Sequence, residues 1–138
     1  MANSISDHEQ DIIKNKKIFL LHTNLNLLSC LKKKLEKNNF IVDTYHNPIF
    51  ALKNYKPFFY DLLLLEVRMN MITGFEFYTQ ILKIEKIPAC FITPLSTYYC
   101  TLKDIYPNIN AKCFFKDNVS EDNLIKIIKK TLKTCYNY

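Results

Sequence analysis

The 138-residue sequence predicts an α/β fold: one doubly wound, five-stranded parallel sheet carrying about five helices on its two faces. Three observations predict it. Five β-prone runs, "KIFLL", "FIVDTY", "DLLLLE", "ACFIT" and "KCFFK", alternate strictly with stretches whose apolar residues recur at helical spacing. The runs are nearly continuous in apolar residues, as strands buried on both faces must be. A hydrophobic content of 49% in a chain of this length supplies one core and not two.

Taken in order, residues 1–15 are polar, with only Ile12 and Ile13 to bury, and read as a tail before a domain over residues 16–135, with no output domain after it. After the first strand, Asn24 is the N-cap of a helix whose Leu27, Leu28, Leu31 and Leu35 share one face, and Asn38 and Asn39 end it. Asn47 caps a short second helix in "NPIFALKNY", where Pro48 fits the first turn because an N–H there would lack a helical partner anyway. The third helix, "GFEFYTQILKI", is expected to bury Phe75, Tyr78 and Leu82, and Pro88 opens the fourth strand, a position where it removes no ladder bond. The weakest helical pattern is "STYYCTLKDIY", between Pro94 and Pro107. The last helix has Ser120 as cap, Glu121 and Asp122 at the positive end of its dipole, and Leu124, Ile127 and Ile128 facing inward. Five such units joined by right-handed crossovers give the flavodoxin-like strand order 2-1-3-4-5.

Composition removes several function classes. Apolar runs such as Leu62–Leu65 are far shorter than the roughly 20 residues of a spanning helix, and "MANSISDHEQ" lacks a signal peptide's apolar stretch, so a cytoplasmic protein without membrane attachment is expected. The five cysteines are odd in number and contain no C-x-x-C pair, so they read as reduced thiols packed as small hydrophobes. The single glycine, Gly74, cannot build a phosphate-binding glycine loop. A formal charge of +6 suits nucleic acid, yet only one of the 19 basic residues is arginine, and "KKKLEK" and "IKIIKKTLK" read better as solvated helix faces.

In a sheet of this topology, chemistry lies beyond the carboxyl ends of the strands, which here carry His22 and Thr23, Glu66, Thr93 and Asp117. Over about residues 17–134 the chain resembles the receiver domains of two-component response regulators, the CheY-like phosphoacceptor modules. "DLLLLEVRMNMITGFEFYTQI" is similar to the family's third strand and following loop, with Glu66 in the place of the phosphorylated aspartate and Asn70 in that of a proline. "IFLLHTN" resembles the first strand and its Mg²⁺-holding acidic pair, with His22 and Thr23 standing there. "IPACFIT" resembles the fourth strand, Thr93 matching the hydroxyl that contacts the phosphoryl group. "AKCFFKDN" resembles the fifth strand, where Phe114 takes the aromatic switch position, Asp117 replaces the phosphoryl-binding lysine, and Lys116 comes one residue too early.

These replacements imply a pseudo-receiver. Mg²⁺ prefers oxygen ligands, so an imidazole and a neutral hydroxyl in place of two carboxylates leave Mg²⁺ binding weak or absent, and no other cofactor or metal is expected. Glu66 carries its carboxylate about an ångström too far, a displacement that can cost around a hundredfold in rate. Asp117 adds a negative charge where the transferred group needs a positive one. His22 is then expected to bond or ion-pair with Glu66 or Asp117 in place of the lost metal. The chain is therefore read as a stand-alone interaction module and not an enzyme. Its partner is expected to be a protein such as a histidine kinase, or a second copy of the chain, on the face of the fourth expected helix, the fifth strand and the last helix, with Tyr98, Tyr99, Lys126, Lys129, Lys130 and Lys133. Four readings compete: phosphorylation on Glu66 or His22, a transition-metal site at His22, Glu66 as a mimic of phosphoaspartate directed toward Thr93, and, last, nucleic-acid binding through the lysines.

Overall fold

The computed structural model describes residues 15–93 and 113–136. Its strands are β1 (Lys17–Leu21), β2 (Ile41–Tyr45), β3 (Leu62–Glu66), β4 (Ala89–Ile92) and β5 (Cys113–Phe115). They form one parallel sheet in the order β2-β1-β3-β4-β5, as the alternation of segments predicts. The described helices are α1 (Leu25–Lys37), α2 (Pro48–Lys53), α3 (Gly74–Leu82) and α4 (Glu121–Tyr136). The helix expected in "STYYCTLKDIY" and residues 1–14 of the expected tail lie outside the described residues.

Alternation along each strand divides the core in two. Ile18, Leu20, Leu62, Leu64, Cys90 and Ile92 face α1 and α4, while Phe19, Leu21, Leu63, Leu65, Ala89 and Phe91 face α2 and α3. Leu62 to Leu65 are fully buried, which contributes about 2 kcal/mol per side chain and makes β3 the spine of the molecule. That central position is what fixes Glu66 at the middle of the sheet's carboxyl edge.

The predicted caps form. Asn24 accepts from the N–H groups of Asn26 and Leu27, and Asn47 from that of Phe50, with Pro48 in the first turn of α2. In α3, Thr73 and Glu76 close a reciprocal capping box. Leu27, Leu82 and Ile127, expected inside, are half-buried, because each lies at the margin of its helix's apolar stripe while Leu28, Ile81 and Ile128 take the centre. The expectation of five reduced cysteines fails at Cys90, which is buried on β4 and disulfide-bonded.

Candidate functional site

Because the strands are parallel, their carboxyl ends meet on one edge, and the turn out of β1 shapes it. His22 donates its backbone N–H to the Tyr45 carbonyl at 3.1 Å, extending the β1–β2 ladder by one residue. The chain then turns into the Asn24 cap, which leaves the Thr23 N–H facing the end of β3. Glu66 Oε1 accepts from that N–H at 2.8 Å and from the Thr23 hydroxyl at 2.6 Å. Charge-assisted bonds of this length are the strong kind and hold the carboxylate on the β1 side.

Glu66 Oε2 lies 3.6 Å from His22 Nε2, and Asp117 Oδ1 lies at the same 3.6 Å. The imidazole is 1% exposed and Nε2 makes no hydrogen bond. Its tautomer follows from the other nitrogen: Nδ1 accepts the Asn24 N–H at 3.0 Å, so the proton sits on Nε2, directed toward the two carboxylates. A metal ion at Nε2 would need the lone pair that this arrangement removes. Among the described residues, no group of three or more His, Cys, Asp or Glu side chains is arranged to hold a metal ion.

The structure thus brings His22, Thr23, Glu66 and Asp117 together. Thr93, buried at the end of β4, donates its N–H to the Phe115 carbonyl at 2.8 Å and so continues the β4–β5 ladder beside the site. Phe114 is half-buried and stacks on Phe91 at 5.7 Å, with Phe75 edge-on at 6.4 Å. Lys116 is exposed, and among the described residues neither Glu66 nor Asp117 has a lysine or arginine as ion-pair partner. On the expected interaction face Lys126, Lys130 and Lys133 are exposed and Lys129 is half-buried, while Tyr98 and Tyr99 lie outside the described residues.

One contributor was missed in the sequence. Gly74 has no positive φ, yet a Cβ there would stand 2.2 Å from the Glu66 carbonyl oxygen. Its N–H donates to the Val67 carbonyl at 2.9 Å, so the start of α3 is packed directly on the backbone of the site. A lone glycine opening a helix shortly after a buried strand is the signal that could have revealed it.

Comparison with known proteins agrees with this architecture. Response regulator TrrA of Thermotoga maritima, solved in complex with Mg²⁺ and BeF, superposes with a TM-score of 0.71 at 27% identity over 84% of this chain and 98% of that one. A CheY-like receiver domain protein of Methanospirillum hungatei gives 0.73 at 18% identity over 88% and 96%, and the non-phosphorylated HemR receiver domain of Leptospira biflexa 0.73 at 20% over 86% and 94%. The chain has the fold of the CheY-like response regulator receiver domains. In sequence it is 34% identical over 73 residues to hybrid signal transduction histidine kinase B of Dictyostelium discoideum, a stretch spanning 53% of this chain and 4% of that protein. No family model matches the chain.

Proposed function

We propose that this chain is a receiver module of two-component signalling that acts without phosphorylation, through protein contacts and not as an enzyme. The observation that carries the reading is the engagement of Glu66. One oxygen, Oε1, is held on the β1 side by two bonds from Thr23, while Oε2 lies 3.6 Å from His22 Nε2, with a second carboxylate, Asp117, at the same distance from that nitrogen. An incoming phosphoryl group would meet a carboxylate tethered toward β1 through Oε1 and two negative charges that, among the described residues, have no lysine or arginine as ion-pair partner. That is the reverse of the electrostatics that phosphoryl transfer needs.

The same geometry weighs against the rival readings. A phosphoaspartate mimic would have to direct its charge toward Thr93, whereas Thr23 holds Glu66 toward β1. His22 as phosphoacceptor would have to accept a phosphoryl group at an Nε2 that is buried between two carboxylates and already carries its proton. Mg²⁺ would find the Glu66 and Asp117 oxygens separated by an N–H donor. The lysines of α4 and the neighbouring strand-5 edge remain the proposed protein-contact face, for which an acidic partner is the complementary chemistry.

The test is thermal unfolding with Mg²⁺ and beryllofluoride, a phosphoryl mimic. The native chain is expected to show no rise in Tm, whereas a quadruple variant His22→Asp, Thr23→Asp, Glu66→Asp, Asp117→Lys should show one. A rise for the native chain would contradict the proposal.

A further inference from the structure

At the opposite end of the sheet from Glu66, where the strands begin, four apolar side chains are exposed: Ile41, Phe58, Phe59 and Ile84. Contacts join them into one strip. Ile41 pairs with Lys17 across β2 and β1, and the Lys17 ammonium lies over the Phe59 ring at 5.0 Å. Lys56 lies over the same ring at 4.7 Å. The Phe58 N–H donates to Glu85, the neighbour of Ile84, at 2.8 Å. Phe58 is 80% exposed and holds a φ of 61°, a left-handed conformation costly for a bulky side chain. Backbone strain that keeps an aromatic ring in water motivates a search for a function.

Charge decides the partner. The acids of this end are engaged: Asp43 accepts from the Tyr60 hydroxyl and pairs with Lys56 at 3.6 Å, Asp61 accepts from the Lys17 N–H and pairs with Lys16 at 4.0 Å, and Glu85 accepts from both the Tyr55 hydroxyl and the Phe58 N–H. Lys83 and Lys86 are exposed and flank the Ile84–Glu85 pair without an ion pair among the described residues. Protein hot spots favour Trp, Tyr and Arg. This end offers Phe, Ile and Lys on a projecting loop, the combination that seats an apolar tip in a bilayer interface while ammonium groups meet anionic headgroups.

We infer that this end of the molecule docks on an anionic lipid surface, Phe58 entering the interface and Lys83 and Lys86 contacting headgroups. This revises the expectation of no membrane attachment, which rested on the absence of a spanning segment and says nothing about peripheral contact.

The experiment is sedimentation of the full chain with vesicles of phosphatidylcholine containing about one third phosphatidylserine, against phosphatidylcholine alone. Binding is expected only to the anionic vesicles, weakening as salt rises. It should fall about tenfold or more in Phe58→Gly, a variant that relieves the positive φ and so keeps the native Tm or raises it, and in the pair Lys83→Gln, Lys86→Gln. No sedimentation, equal binding to both vesicle types, or binding indifferent to Phe58→Gly would overturn the inference. Phe58-dependent binding to soluble polyglutamate without vesicle binding would also overturn it and assign the surface to an acidic polypeptide.

Discussion

At the residue scale, the site turns on who holds the carboxylate of Glu66. Thr23 supplies two donors, and its hydroxyl bond, made to an ion but at an exposed position, should contribute about 1 kcal/mol. Thr23→Val is therefore expected to lower stability by that amount in urea denaturation. His22→Asp replaces the buried N–H donor with a third carboxylate beside Glu66 and Asp117. The variant should be less stable than native in metal-free buffer, and excess Mg²⁺ should return about 1–3 kcal/mol, a linkage effect that the native chain does not show. Two buried tyrosines give a separate signature. Burial, then the bonds to Glu85 and Asp43, push the Tyr55 and Tyr60 hydroxyls well above the usual tyrosine range. Because the folded-state values are raised, their stabilisation is fully present below the ordinary pKa of about 10 and is lost as pH climbs through the folded values. Ultraviolet titration should show both ionising only as the protein unfolds in alkali. The grouping of His22, Glu66 and Asp117 was legible in sequence, because parallel strands must end together. The grip of Thr23 on Glu66 was not, since a backbone N–H leaves no trace in residue type.

At the element scale, caps and periodicity carried the prediction. Asn24, Asn47 and Pro48 act where their chemistry places them, and α1 ends at Asn38 and Asn39, the latter taking a left-handed φ of 71° that asparagine tolerates. The start of α3 was read only in part: the glycine was visible, its reason was not. Its need is steric, set by a carbonyl eight residues earlier in the chain, and such tertiary contacts have no local pattern. Gly74→Ala should cost about 3 kcal/mol, since the obstructing atom is backbone and cannot swing aside. Thr73→Ala, which removes only the cap, should cost about 1 kcal/mol. Equal losses in chemical denaturation would contradict the account of Gly74. The disulfide at Cys90 was illegible, because widely spaced cysteines give no sign in sequence of which of them pair.

At the scale of the whole molecule, the order of five strands was readable because alternation and buried runs leave few ways to cover both faces of one sheet. At its carboxyl edge Thr23 bonds to Glu66, and His22 Nε2 lies 3.6 Å from both Glu66 and Asp117. Under the proposed function, this arrangement is a closed site and not one awaiting a phosphoryl group. A molecule of this design would signal by presenting surfaces, the α4 side to proteins and the strand-start end to lipid, with its central switch held in one state. The most direct measurement of that claim is intact mass after incubation with acetyl phosphate and Mg²⁺, with Glu66→Asp alongside. An unmodified native chain is the predicted result. A stoichiometric phosphoryl adduct on the native chain would contradict it and make the location of that group the next question.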